Sequence, residues 1–159
     1  MKWALKHRAR ADRWSADDRS SRRITASLIA PCGMDCGLCG KHLREVDPCL
    51  GCLNIARAVE HCETGIKLCD TRTAGAVFCF DCAGYPCDRL TQLDLRYRRQ
   101  YGMSMIANLD RIRDGGLDAF VDLENKRWAC PTCGAPICVH DRRCYACGAQ
   151  WSRDTTPAS

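Results

Sequence analysis

The chain runs to 159 residues, 15 of them cysteine, and its 24 Lys plus Arg against 19 Asp plus Glu give a formal charge of +5. A chain of this length makes one ordinary domain or two small ones and buries a limited core. No apolar run approaches the roughly 20 residues of a membrane-spanning helix, so no membrane partner is expected.

Residues 1–27 form a basic N-terminal arm carrying Lys2, Lys6, Arg8, Arg10, Arg13, Arg19, Arg22 and Arg23, with no apolar stretch suited to an export signal. Trp3 and Trp14 punctuate it without a helical stripe, so it reads as disordered or as a short helix that docks elsewhere. Asp12, Asp17 and Asp18 count against an organelle transit peptide.

Residues 28–89 hold ten of the cysteines, namely Cys32, Cys36, Cys39, Cys49, Cys52, Cys62, Cys69, Cys79, Cys82 and Cys87. The apolar pieces at 28–30, 53–59 and 76–80 are short, so metal coordination is expected to replace a hydrophobic core. Tyr85-Pro86-Cys87 reads as a turn that closes this knot.

Residues 90–126 contain no cysteine and read as a helical segment. Asp88 is the expected N-cap, Leu90, Leu93, Tyr97 and Tyr101 recur at helical spacing, and Gly102 is the stop. A second helix is expected from the cap Ser104, with Met105, Ile106, Leu109 and Ile112 inward, ending at Gly115-Gly116. A third, short helix carries Phe120 and Leu123 as core residues. Residues 127–151 return to cysteine pairs with Ile137, Cys138 and Val139 as a strand between them, and 152–159 form a loose polar tail.

Cysteine at about 9% of residues would suggest disulfides in a short secreted chain. Here the count is odd, five pairs have CxxC spacing and no export signal is visible, so the thiols are read as reduced metal ligands in a cytoplasmic protein. Ligand cysteines are thiolates, which changes the charge. Three sites of four thiolates and one zinc each would bring the formal +5 to about −1. The basic balance then says little for a nucleic-acid partner, although the arm and Arg96, Arg98 and Arg99 remain local basic patches.

The strongest motif is Cys130-Pro131-Thr132-Cys133-Gly134 with Cys144-Tyr145-Ala146-Cys147-Gly148. In each, glycine directly follows the second cysteine, as a zinc knuckle requires where backbone amides bend round to face the sulfurs. Ten intervening residues allow a hairpin, so Cys130, Cys133, Cys144 and Cys147 are expected to share one zinc in a zinc ribbon. Cys138 and His140 are surplus to that tetrahedron, Cys138 as a small buried apolar residue and His140 as a surface or supporting side chain.

In the knot, Cys36, Cys39, Cys49 and Cys52 make one compact set with Cys32 beside it. Cys62, Cys69, Cys79, Cys82 and Cys87 could make another. Interleaved sites are equally allowed, giving two to three zinc ions in the whole chain. A four-cysteine iron–sulfur cluster in the knot is the alternative, since thiolates serve both metals. Cys32, Cys36 and Cys39 also have the CxxxCxxC spacing of radical S-adenosylmethionine enzymes, but the strand–helix barrel those enzymes need is missing. A thioredoxin-like use of CxxC is disfavoured because no pair stands alone at a helix N-terminus after a strand. His42, His61 and His140 are either substitute ligands or surface residues. Asp35 is read as a hydrogen-bond acceptor within the metal loop, and no catalytic constellation is visible.

The run Ala30-Pro31-Cys32-Gly33-Met34-Asp35-Cys36-Gly37-Leu38-Cys39, with Cys49-Leu50-Gly51-Cys52, Phe78-Cys79-Phe80-Asp81-Cys82-Ala83-Gly84-Tyr85-Pro86-Cys87 and Tyr97-Arg98-Arg99-Gln100-Tyr101-Gly102-Met103-Ser104, resembles the cysteine-rich family called domain of unknown function 3795. The resemblance covers roughly residues 28–148, including a terminal ribbon in longer members. It implies metal binding, presumed to be zinc, and no established activity. The arm before Thr25 departs from the family, as does the wide spacing of Cys62 and Cys69, which leaves His61 as a substitute for Cys62.

The expected architecture is a small α+β metal-stapled fold: a cysteine-rich zinc-knuckle knot, a short helical segment and a C-terminal zinc ribbon. The expected role is a non-catalytic metal-binding adaptor with a protein partner. The rivals are an iron–sulfur electron-transfer protein and a nucleic-acid-binding ribbon protein.

Overall fold

In the computed structural model, which describes residues 22–52, 62, 64–66, 69, 71 and 73–152, the cysteine-free stretch forms three consecutive helices that back both cysteine-rich regions. Expectations for the arm before residue 22, for 53–59, for His61 and for the tail after residue 152 lie outside the described residues. The element order is a short helix α1 (Gly40–Leu43), then α2 (Asp88–Tyr101), α3 (Met105–Gly115) and α4 (Leu117–Arg127), then a two-stranded antiparallel sheet of β1 (Ile137–Cys138) and β2 (Arg143–Cys144). Single 3₁₀ turns at Ala26–Leu28, Cys36–Leu38 and Cys79–Asp81 shape the knot. No helix among the described residues is long and apolar enough to cross a membrane.

Helix α2 buries Leu90, Leu93 and Tyr97 and ends at Gly102, as its apolar spacing predicts. Its cap differs from expectation. Cys87 is the N-cap, because its carbonyl accepts the first intrahelical bond from the Thr91 amide at 2.9 Å. Asp88 is the first helical residue, where its charge favours the positive end of the helix. Helix α3 starts at Ser104, whose hydroxyl accepts the Ala107 amide at 3.0 Å, and buries Met105, Leu109 and Ile112, with Ile106 only partly covered. Gly116 ends α3 and begins α4.

In α4 the inward face is rotated from expectation. Phe120 is buried, whereas Leu123 is 45% exposed and Glu124 is fully buried. The reason is local: the Trp128 indole donates to Glu124 Oε2 at 2.9 Å, and the Arg127 guanidinium lies 3.6 Å from Oε1. That pairing turns position 124 inward one helical turn after Phe120, and Leu123 faces water.

Buried polar side chains tie the elements together. Asp94, on α2, accepts from the Ser104 hydroxyl at 2.7 Å and the Ile106 amide at 3.0 Å, fixing α3 against α2. Asn108 donates to the Gly33 carbonyl at 2.9 Å, fixing α3 to the first cysteine loop. Gly33 has φ +84° there, and a Cβ would stand 2.6 Å from the Met105 carbonyl oxygen, so only glycine allows this approach. Asn125 pairs with both the amide and carbonyl of Ile24 at 2.9 Å.

The core differs from the coreless knot that the short apolar pieces suggested. Leu28, Ile29, Met34 and Leu38 of the knot share one buried cluster with Leu90, Tyr97, Leu109 and Phe120 of the helices and Val139 beyond them. The knot therefore leans on the helices as well as on its thiols. In urea unfolding, Leu109→Ala is expected to cost roughly 2–5 kcal/mol, as for other fully buried leucines. Leu123→Ala should stay within about 0.5 kcal/mol. Equal effects would contradict the observed face of α4.

Candidate metal centre

The C-terminal pairs sit on two backbone turns of the same form. In the first, the Gly134 amide donates to the Cys130 carbonyl at 2.7 Å and the Cys130 amide to the Ala135 carbonyl at 2.8 Å. In the second, Gly148 bonds Cys144 at 2.9 Å and Cys144 bonds Ala149 at 2.8 Å. Gly134 and Gly148 both adopt φ +77°, a left-handed conformation that the knuckle needs just after its second cysteine. Strands β1 and β2 pair Ile137 with Cys144 and Cys138 with Arg143, which brings the two turns face to face.

The four sulfurs converge. Cys130 and Cys147 Sγ are 3.7 Å apart, Cys133 and Cys144 Sγ are 3.5 Å apart, and all four lie within 4.8 Å of one another. A tetrahedron with zinc–sulfur arms of about 2.3 Å has edges of about 3.8 Å, so one ion fits without rearranging the backbone. Cys130 and Cys144 are buried, Cys133 is half-buried and Cys147 is exposed. Ala135 and Ile137 pack beneath the site with Trp151.

The thiols differ in how readily they ionise. Burial opposes ionisation of Cys130, but the amides of Cys133 and Thr132 and the Cys147 thiol outweigh it and bring Cys130 down to about 7. Burial pushes Cys133 up, and pushes Cys144 up to about 12. Cys133 and Cys144 thus hold their protons at neutral pH until a cation displaces them.

The surplus residues near the ribbon have other partners. Cys138 is fully buried, as a small apolar residue would be, and its sulfur accepts the Asp141 amide at 3.4 Å. His140 Nδ1 accepts from the Gly40 amide at 3.5 Å, which leaves the proton on Nε2 for its 2.9 Å bond with the Tyr97 hydroxyl. The next amide, Val139, donates to the Leu38 carbonyl at 2.9 Å, so the ribbon is pinned to the first cysteine turn.

Among the described residues, no comparable convergence to 4.8 Å occurs in the knot. Its thiols instead line two hollows. Cys36, Cys39, Cys49, Cys52 and Cys62 surround one, and Cys69, Cys79, Cys82 and Cys87 surround the other. Cys32 is fully buried and borders neither hollow. Asp35 accepts the Gly37 amide at 2.9 Å, the hydrogen-bonding role its place in the loop suggests. His42 is half-buried with Nδ1 2.6 Å from the Cys49 carbonyl, a bond that ties the two halves of the first set.

Sequence reasoning missed the hydroxyls that reach these sulfurs. Thr64 lies 3.4 Å from Cys62, Thr71 3.5 Å from Cys69 and Thr73 3.3 Å from Cys82. The repeated Cys-x-Thr at 62–64 and 69–71 was the available signal. Compared with family models, curated proteins and solved structures, the chain shows no match to any.

Two outcomes follow for the ribbon. Adding zinc to the metal-free protein at pH 7 should release at least the two protons held by Cys133 and Cys144, and affinity should fall as pH falls, because protons then compete for the thiolates. Calorimetry in two buffers of different ionisation enthalpy measures the number, and binding without proton release would contradict the tetrad. Cys144→Ser should lower metal content by one ion per chain.

Proposed function

We propose that the protein is a zinc-stapled, non-catalytic interaction module that presents a small rigid surface to a protein partner in the cytoplasm. The observation that carries the reading is the all-cysteine tetrad of Cys130, Cys133, Cys144 and Cys147, with every sulfur within 4.8 Å of the others. Four thiolates fill a tetrahedral ion completely and leave no position for water or substrate, which is how structural zinc is held. A cluster of several irons would set the sulfurs further apart, since different irons take them.

The ten cysteines of the knot are proposed to supply the ligands of two further four-cysteine sites with two thiols left over, for a total of three zinc ions. The spacing of the Cys32–Cys39, Cys49–Cys52 and Cys79–Cys87 motifs supports placing the chain with the cysteine-rich family it resembles. A protein partner is favoured by Val46, Leu50 and Val77, which are 74%, 44% and 58% exposed on loops of the knot that bound metal would stiffen.

Anaerobically purified full-length protein should be colourless and contain zinc by metal mass spectrometry. Brown protein containing iron and acid-labile sulfide would overturn this reading in favour of electron transfer. Val46→Asp and Val77→Asp should weaken partner binding at least tenfold while leaving zinc content and melting temperature unchanged. Nucleic-acid binding that weakens steeply with salt would replace the protein partner.

A further inference from the structure

The ribbon uses four thiols, and ten remain in the knot. We propose that eight of these ten form two separate tetrathiolate centres, one of Cys36, Cys39, Cys49 and Cys52 and one of Cys69, Cys79, Cys82 and Cys87, with Cys32 and Cys62 ligands of neither. The inference deepens the zinc reading and rests on it for the identity of the metal alone.

The two centres share a building block. Cys36-Gly37-Leu38-Cys39 and Cys79-Phe80-Asp81-Cys82 both form a 3₁₀ turn, closed by an amide-to-carbonyl bond of 3.1 Å from the second cysteine to the first. Both turns end in extended backbone, at φ −81°, ψ 132° for Cys39 and φ −80°, ψ 136° for Cys82. Both carry an aspartate bonded to a nearby amide, Asp35 to Gly37 at 2.9 Å and Asp81 to Phe78 at 3.0 Å. The same turn therefore aims two thiols in two places, and each needs a second pair to complete its tetrahedron.

For the first turn, the second pair is Cys49 and Cys52. The Cys49 amide donates to the Lys41 carbonyl at 2.8 Å, and His42 grips the Cys49 carbonyl. Cys52 Sγ lies within hydrogen-bonding reach of Cys36 Sγ. These four thiols and Cys62 line one small hollow of about 30 Å³. The amides of Lys41 and His42 point at the Cys39 sulfur, as they do where a sulfur carries ligand charge.

For the second turn, the partners are Cys69 and Cys87. The hollow here is about 250 Å³ and more open. Cys87 is the N-cap of α2, a fourteen-residue helix whose N-terminus favours the negative charge of a ligand thiolate. The hydroxyls of Thr71 and Thr73 reach the Cys69 and Cys82 sulfurs. An ion would draw these thiolates inward, since binding and local folding are one process at such sites.

The two leftover thiols have distinct places. Cys32 is fully buried and feels Cys52 from one set and Cys79 from the other, so it stands between the centres as packing. Cys62 sits beside the first hollow with its sulfur against Cys52 and Thr64, and it is surplus there because the two CxxC pairs already supply four sulfurs.

The full-length chain loaded with an NMR-active cadmium isotope tests the assignment, because cadmium couples through sulfur to the β protons of each ligand cysteine. Three cadmium resonances are expected, each correlated with four cysteines: the ribbon set and the two sets above. Cys32→Ala and Cys62→Ser should keep all three resonances, and Cys49→Ser should lose one while the ribbon signal reports that the rest is folded. A ribbon signal alone would overturn the two knot centres and leave the ribbon reading standing. Cysteines correlated with two cadmium ions, or any correlation to Cys32 or Cys62, would equally overturn this partition. Loss of the ribbon signal as well would overturn the metal reading itself.

Discussion

Four sulfurs within 4.8 Å of one another set the terms for the structure around them. As thiolates they repel strongly at that range, in surroundings that screen less than water does. As protonated thiols they are weak partners that other small residues could replace. A cation resolves the conflict by making all four charged and close at once. The backbone is arranged for that state, with matched glycine turns at Gly134 and Gly148 and a hairpin register that sets Cys144 opposite Ile137.

The cysteine turns are not independent of the rest. Val139 bonds Leu38, Cys79 bonds the Pro31 carbonyl at 2.8 Å, and Asn108 bonds Gly33, so each cysteine turn is hooked to a helix or to another turn. Helices α2, α3 and α4 form the rigid backing, and one buried cluster runs from Ile24 to Val139. A metal held at one of these turns would thereby be felt as folding well beyond its own loop. A small chain gains a defined surface this way without a large core, as the proposed interaction module would need.

Much of this was legible in the sequence, for reasons that are local. The CxxC-Gly pattern reports the ribbon because the turn that aims two sulfurs is built within five residues. The stripe from Leu90 to Tyr101, the stop at Gly102 and the cap at Ser104 were readable for the same reason. What stayed hidden depended on distant partners. Leu123 reads as a core residue until Trp128 and Arg127 claim Glu124 and fix the face of α4. Asn108 reveals nothing of its bond to Gly33, 75 residues away in the chain. Spacing likewise could not divide the ten thiols of the knot, because the proximity of Cys36 to Cys52 is set by packing.

X-ray absorption at the zinc edge on the anaerobically purified full-length protein tests the central claim most directly, since it reads the atoms bonded to the metal whichever residues supply them. The account predicts that zinc's nearest neighbours are four sulfurs at about 2.3 Å and nothing lighter. Nitrogen or oxygen neighbours at about 2.0–2.2 Å would show an open or mixed site, and would contradict an all-thiolate structural role.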